Sequence, residues 1–433
     1  MPDELSDYLS RVEHPLRDAS DLDVLLERIG GSRFVLLGEA SHGTSEFYEW
    51  RFTLSRRLIE EKGFDFIAVE GDWPDCYRVN RYVKGYPGSG ESAYAVLHGF
   101  ERWPTWMWAN REVEALVEWM HDRNLSQPEI RQVGFYGLDV YSLWESMAVV
   151  EEYLQRVDPE AARRARRAYG CFDPYHEDVQ EYAMATALVP TTCEDEAVSM
   201  LTELRRRAPE YREDGRESYF NAEQNALTVR NAELYYRTMV RGGPASWNVR
   251  DTHMVETLER LAAHHGPDAK AIVWEHNTHV GDARATDMAR AGMVNVGQLV
   301  RQRHGGEGVV AAGFSSYRGS VIAGEEWGAP MQRMRVPEAR EGSWERLLHE
   351  RSAVDRMLVF EDGAPEAALE PRGHRAIGVV YDPEAERWGN YVPTVLPFRY
   401  DAVLYLDHTH ALRPLHMEAR DDGEPPETFP SGM

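Results

Sequence analysis

The chain has 433 residues, of which 42% are hydrophobic and 11% aromatic, a balance that excludes disordered, collagen-like and linker-dominated proteins. Lys and Arg total 48 against 73 Asp and Glu, giving a formal charge of -25 that would repel a polyanion such as DNA, so nucleic acid is not an expected partner. At about 150 residues per domain the length predicts two or three units, or one elaborated α/β domain.

The N-terminus (MPDELSDYLSRVEHPLRD) is acidic and lacks an apolar leader core. No run of about 18 apolar residues occurs anywhere, so the expectation is a cytoplasmic protein that spans no membrane. Three cysteines, Cys76, Cys171 and Cys193, are too few and too scattered for a disulfide framework or a Cys-rich zinc site, and they predict a reducing compartment.

Short apolar runs then follow one another: Phe34 to Leu37, Phe64 to Val69, Val133 to Tyr136, Ala271 to Trp274, Val309 to Phe314, Ala376 to Val380 and Ala402 to Leu406. Continuous rather than alternating hydrophobicity marks strands covered on both faces, as in a parallel sheet. Between the early runs the spacing of Phe47, Trp50, Leu54 and Leu58 predicts a helix over Ser45 to Lys62 that stops at Gly63. Strand, helix, strand makes an α/β fold with a mostly parallel central sheet flanked by helices. Residues 149–245 read as long charged helices without a strand (AARRARRAYG, NAEQNALTVRNAELYYRTMV), an insertion that acts as a lid, a packing layer or a dimer surface. The predicted partition is residues 1–148 as the first part of the α/β core, 149–245 as the helical insertion, 246–420 as the second part of the core, and 421–433 as a frayed, Pro-rich acidic tail.

Chemistry gathers where the apolar runs end. Phe34 to Leu37 leads into Gly38, Glu39 and His42; the second run into Glu70 and Asp72; the third into Asp139; the fourth into Glu275, His276 and His279; the last into Asp407, His408 and His410. In an open parallel sheet the carboxyl ends of the strands share one edge, and ligands bind outside it. His42 precedes a helix, whose positive end favours a neutral imidazole able to take a proton. Glu39 is placed to orient that ring. Arg51, two turns into the helix and on the His42 side, is a candidate for holding an oxyanion, or else for a surface ion pair with Glu49 or another carboxylate. The same Glu39, His42, Glu70, Asp139, His276 and His279 are also a mixed oxygen and nitrogen donor set of the kind that holds a zinc- or manganese-like ion. Trp103, Trp106 and Trp108 floor a pocket or pack the core. The chain has no G-x-S-x-G elbow, no Walker A sequence and no CxxC, and Gly88-Ser89-Gly90 follows a loop rather than a strand.

An ordered set of motifs is similar to the erythromycin esterase family: Gly-Glu-x-x-His-Gly at Gly38 to Gly43, Arg51, Val69 to Gly71, Trp-Pro-Thr-Trp-Met-Trp at Trp103 to Trp108, Asn-Val-Arg-Asp-x-x-Met at Asn248 to Met254, and Trp-Glu-His-Asn-x-His at Trp274 to His279, ending with Phe398 to Pro414. The resemblance implies a hydrolase without metal or other cofactor that opens a macrolide lactone with water activated by a histidine. It makes His42 the base with Glu39 beside it, and matches Arg51, Glu70, His276 and His279 to the other active-site positions. The implied partner is a small-molecule ester or lactone; oligomeric state is left open. Two alternatives stand beside this reading: a metal-dependent hydrolase, peptidase- or amidase-like, built on the same Glu and His cluster, and a non-catalytic protein that binds a small ligand.

Overall fold

A computed structural model describes residues 2–175, 178–188, 192–211, 215–240, 242–305 and 308–416; the expected tail, 421–433, lies outside the described residues. Among the described residues eleven strands form in chain order: β1 (Glu13–Pro15), β2 (Phe34–Leu37), β3 (Phe66–Asp72), β4 (Gly134–Asp139), β5 (Ala271–Trp274), β6 (Val309–Ala323), β7 (Gln332–Val336), β8 (Arg356–Val359), β9 (Arg372–Arg375), β10 (Tyr391–Thr394) and β11 (Ala402–Thr409). The central sheet runs β1-β8-β11-β6-β2-β5-β3-β4, with β7 paired to β6 outside this path. Its middle, from β11 to β4, is parallel, while β1, β8 and β7 join antiparallel. Strands β9 and β10 form a separate antiparallel pair.

The parallel strands are apolar on both faces because both faces are covered. Val35, Leu37, Ile67, Val69, Ile272 and Trp274 point into one core, together with Phe47, Leu54 and Leu58 of the helix Ser45–Lys62 and Val113, Leu116 and Val117 of the helix Arg111–Leu125. The intervening residues Phe34, Leu36, Phe66, Ala68, Ala271 and Val273 point into a second core, shared with Leu5 and Leu9 near the N-terminus and Met254, Leu258 and Leu261 of the helix Ala245–His265. A period of two thus divides each strand between two layers. The first helix ends as its sequence predicts, at Gly63 in the left-handed conformation with φ 69°.

Helices Leu143–Val157, Pro159–Tyr169, Val179–Leu188, Glu194–Arg206 and Arg216–Met239 enclose a third core of their own. Here one expectation fails. Cys171 and Cys193 are joined by a disulfide with their Cα atoms 5.9 Å apart, and only Cys76 is a free, buried thiol. The intervening helix Val179–Leu188 folds the chain back, bringing together two cysteines that look unrelated in sequence. Ala376–Val380 is also not a strand: Ile377 and Val380 make single bridges to Ser41 and Gly324, and the extended pairing lies just before, in β9. Among the described residues no helix is long and apolar enough to cross a membrane.

Candidate active site

The turn after β2 is shaped by its two glycines. A Cβ on Gly38 would overlap the Asn277 side chain, and one on Gly43 would overlap the Ile322 carbonyl of β6. Asn277 is fixed in that space, exchanging hydrogen bonds with the main chain of Phe314 at 2.7 and 3.1 Å, while its own N–H donates to the Glu39 carbonyl at 2.8 Å. The segment between the glycines is thereby wedged between β5 and β6, with Glu39 and His42 buried at 1% and 4% exposure.

Glu39 Oε1 lies 2.8 Å from His42 Nδ1. A carboxylate only accepts, so Nδ1 carries the proton and the lone pair of a neutral ring is on Nε2. Arg51 donates to the other oxygen, Oε2, at 2.6 Å. Its guanidinium is fully buried between the Tyr48 and Trp274 rings, 4.2 and 4.6 Å from their centroids, and it does not border the cleft. Of the two readings of Arg51, an ion pair forms, but with the buried Glu39 carboxylate rather than with Glu49 at the surface.

The other strand ends converge on the same place. Glu70, at the end of β3, accepts the His276 backbone N–H at 2.7 Å on one oxygen and Arg250 Nη2 at 2.7 Å on the other. Burial would raise its pKa, but the groups around it, the Arg250 guanidinium among them, outweigh that and hold it below the usual carboxylate range. Arg250 also donates to both oxygens of Asp139, at 2.9 and 2.6 Å. The His276 ring stands 4.9 Å from the His42 ring. Burial, reinforced by His42, holds the His276 pKa well below its ordinary value.

His279 stacks on Trp247 at 4.6 Å and presents Nδ1 to Asp251 at 3.0 Å. Two influences oppose each other there. Against burial, Asp251 and Glu70 lift its pKa to about 10, while Arg250 Nη1 sits 3.0 Å from Nε2. The contact geometry decides: two N–H groups facing each other at that distance repel, so the ring in this arrangement is neutral, with its proton on Nδ1 and the Nε2 lone pair accepting from Arg250. Glu275 is buried with neither oxygen bonded to a described residue; burial, with Glu70 and Asp251 adding to it, raises its pKa well above the ordinary value.

All six residues singled out as catalytic, Glu39, His42, Arg51, Glu70, His276 and His279, therefore meet at the carboxyl edge of β2, β3 and β5. The late pair does not join them: His410 is exposed and bonds Glu46, and His408 is exposed beside it. Arg250 and Asp251 enter the site without having been singled out; their only sign in the sequence is the motif Asn248 to Met254. Among the described residues no group of three or more His, Cys, Asp or Glu side chains is arranged to hold a metal ion. The carboxylates are taken up instead by Arg51 and Arg250.

Beside these residues lies a narrow cavity of about 80 Å³, lined by the polar His42, Glu70, Asp139 and Arg250 and by Phe100, Trp103, Met107, Trp108 and Trp327. Trp103 and Trp108 thus serve both earlier readings, lining the cleft and packing into the first core, whereas Trp106 is wholly buried. Asp72 is in the wall as well; burial raises its pKa to about 7 despite the Arg102 guanidinium at 2.7 Å.

Fold and site together define an α/β protein with its ionisable residues gathered at one edge of a parallel sheet. The profile of the family described as Erythromycin esterase matches residues 59–409, and the chain belongs to that family of hydrolases. The matched segment begins after Glu39, His42 and Arg51. The chain is 24% identical to "Putative hydrolase YbfO" of Bacillus subtilis (strain 168), covering 93% of this chain and 90% of that protein. It is 23% identical to "Erythromycin esterase type II" of Escherichia coli, over 82% and 87% of the two chains. Among solved structures, a mutant of the erythromycin esterase EreC in its open conformation shares the fold with a TM-score of 0.67 and 16% identity, covering 94% of this chain and 97% of that one.

Proposed function

We propose that this protein hydrolyses a carboxylic ester or lactone by attack of a water molecule that His42 deprotonates. The observation that carries the reading is the buried Glu39–His42 pair at 2.8 Å, which commits Nδ1 and leaves Nε2 as the basic atom of a residue bordering the cleft. Nε2 takes a proton from water as the oxygen bonds to the carbonyl carbon. The tetrahedral adduct then collapses: the bond to the alkoxide breaks and His42 returns its proton to that oxygen, releasing alcohol and acid. Glu39 stabilises the imidazolium in between, and Arg51 holds the other oxygen of Glu39 in place. Glu70 and Arg250 tie His276 and His279 to the same floor.

Two features bear on the substrate. The aromatic wall suits an apolar acyl or alcohol part. The relatives' names make macrolide lactones the first compounds to test, yet a cavity of about 80 Å³ holds only on the order of five waters. A macrolactone therefore requires the cleft to open. The helical segment 149–245 is the lid in this reading, because Tyr141 in the cleft wall is held from that side by the Tyr236 hydroxyl, which donates to its carbonyl at 2.8 Å, and by the Tyr235 ring.

The test is a panel of esters and lactones, macrolides included, followed by mass spectrometry for the gain of one water. Turnover by the wild type and none by His42→Gln, with an unchanged melting profile, is the expected result. Near-normal hydrolysis by His42→Gln, or loss of wild-type activity on chelation that returns with a divalent ion, would overturn it in favour of another base or of a metal-bound nucleophile.

A further inference from the structure

Three indoles border the cavity beside His42, and they are not held alike. Trp103 and Trp108 are buried, and the N–H of each reaches a carbonyl: Trp103 Nε1 donates to Ala329 at 3.0 Å and Trp108 Nε1 to Glu70 at 3.2 Å. Trp103 also sets its ring edge-on to the wholly buried Trp106, 5.2 Å between centroids. These two are fixed walls. Trp327 is only half-buried, and its Nε1, though buried, has no partner among the described residues. It is held by packing, its ring 4.7 Å from that of Trp103 and tilted by 51°.

Trp327 stands in the loop 324–331, between β6 and β7. The root of that loop is tied down. Ile322, last but one in β6, donates its N–H to the Gly43 carbonyl at 3.0 Å, and Gly324 donates to the Val379 carbonyl at 2.9 Å and accepts from the Tyr381 N–H at 2.9 Å. Because His42 adjoins Gly43, the base and the root of the loop belong to one hydrogen-bonded unit. The tip is different: Glu325, Glu326, Gly328 and Pro330 are exposed, and the chain turns at Gly328 with φ 76°, a conformation that glycine takes at little cost. An indole turned inward from between two exposed neighbours covers apolar surface, and here the surface it covers includes a wall of the cleft.

We propose that Trp327 is a specificity-determining residue of the hydrolase read above, on which this assignment rests: its indole limits the part of the ester that lodges beside His42 to a short aliphatic chain. A space of about 80 Å³ takes on the order of five non-hydrogen atoms, as it takes about five waters. The substrate class this assigns is an ester with a short chain on one side of the carbonyl group. Shortening the Trp327 side chain lengthens the space at this one wall, while Trp103 and Trp108 stay where their own hydrogen bonds put them. Large lactones then enter only when this wall or the helical one gives way.

Two series of esters test the assignment: p-nitrophenyl esters of straight-chain acids from acetate to decanoate, and butyrates of straight-chain alcohols from methanol to decanol. Wild-type kcat/KM should peak at a short chain in at least one series and fall by about 10-fold or more for each methylene beyond the limit. Trp327→Leu and Trp327→Ala should move that peak to longer chains, further for alanine, and raise the ratio of long-chain to short-chain kcat/KM by at least about 10-fold. The series in which the peak moves identifies the side of the ester that lodges in the cleft. Thermal melts accompany both variants, and Trp327→Leu, the milder change, carries the test if Trp327→Ala does not fold. A peak that stays in place in both series in a folded variant overturns the assignment and leaves Trp327 a packing residue, and a wild type that already prefers the longest chains overturns it as well. In both cases hydrolysis itself is observed and the reading of His42 survives. A wild type inert on every ester and lactone removes the hydrolytic reading and the specificity role with it.

Discussion

Asp251 meets His279 Nδ1 with both carboxylate oxygens, at 3.0 and 3.1 Å, and one of those oxygens also accepts the Val296 backbone N–H at 3.0 Å. Burial lifts the Asp251 pKa, but its pairing with the ring lifts His279 further, and of the two the ring keeps the proton. The carboxylate thereby fixes the tautomer that lets Nε2 accept from Arg250. Asp251→Asn is isosteric yet removes this charge. It should destabilise the fold by about 3 kcal/mol and lower kcat by about 10²-fold, the scale expected when a reacting constellation is displaced by about 1 Å. Thermal melts beside steady-state kinetics check it; unchanged kinetics would make the pair purely structural.

Arg51 and Glu39 form a buried ion pair in which each charge depends on the other. Arg51→Met fills much of the same volume between Tyr48 and Trp274 but leaves the Glu39 charge uncompensated. Breaking such a pair costs about 3–5 kcal/mol. The Glu39 carboxylate also loses the group that holds its second oxygen, so its hold on the His42 ring weakens. The variant should melt earlier than the wild type and show a lower kcat, which thermal melts and steady-state kinetics read directly. Wild-type stability and rate would show that Glu39 does not need its cation.

Much of this arrangement is legible in the sequence where one physical signal dominates. β2 and β5 have the predicted bounds because unbroken apolar runs report burial on both faces, and the helix Ser45–Lys62 ends where Gly63 permits a left-handed cap. The convergence of Glu39, Glu70, Asp139 and His276 follows from parallel topology, since residues that follow parallel strands share an edge. Arg250 and Asp251 escape that logic. They come from the middle of a helix, where a charged pair looks like any solvated face and only tertiary packing turns it inward. Arg51 is hidden for the same reason: on spacing alone an arginine two turns into a helix fits an exposed face as well as a buried one. Ile377 and Val380 mislead in the opposite direction, being apolar because they are buried between elements, each through a single bridge.

The bond between Cys171 and Cys193 closes a loop of 22 residues around the helix Val179–Leu188. A cross-link over that length is worth roughly 3 kcal/mol, and it acts within the helical segment, whose core is separate from the two that cover the sheet. Reduction should therefore lower the melting temperature of that segment first, leaving a later transition for the sheet and its two cores. Calorimetry with and without reductant resolves the two, and alkylation of the denatured, unreduced protein should label only Cys76. Three labelled thiols would rule the bond out.

Glu275 presents the clearest pH signature. It is wholly buried beside His279, and its two oxygens have no hydrogen-bond partner among the described residues. Burial outweighs the attraction of His279, and the nearby Glu70 and Asp251 add to it, so the folded protein holds this acid protonated well above 4.5, its ordinary value. The unfolded chain loses that proton above about pH 4.5. Folding thus takes up a proton between the unfolded and the folded pKa, and the sign follows: the contribution of Glu275 is complete below its unfolded pKa and erodes as pH rises towards the folded one. Glu275→Gln has nearly the same shape and never ionises. The two proteins should be about equally stable at about pH 4, and the variant should gain on the wild type by up to about 1.4 kcal/mol per pH unit above about pH 5, until the folded protein itself begins to lose the proton. Denaturant midpoints across that range measure the gap. A gap that stays constant would mean that Glu275 is ionised in the folded protein, and its carboxylate would then need a cation supplied by something other than the residues around it.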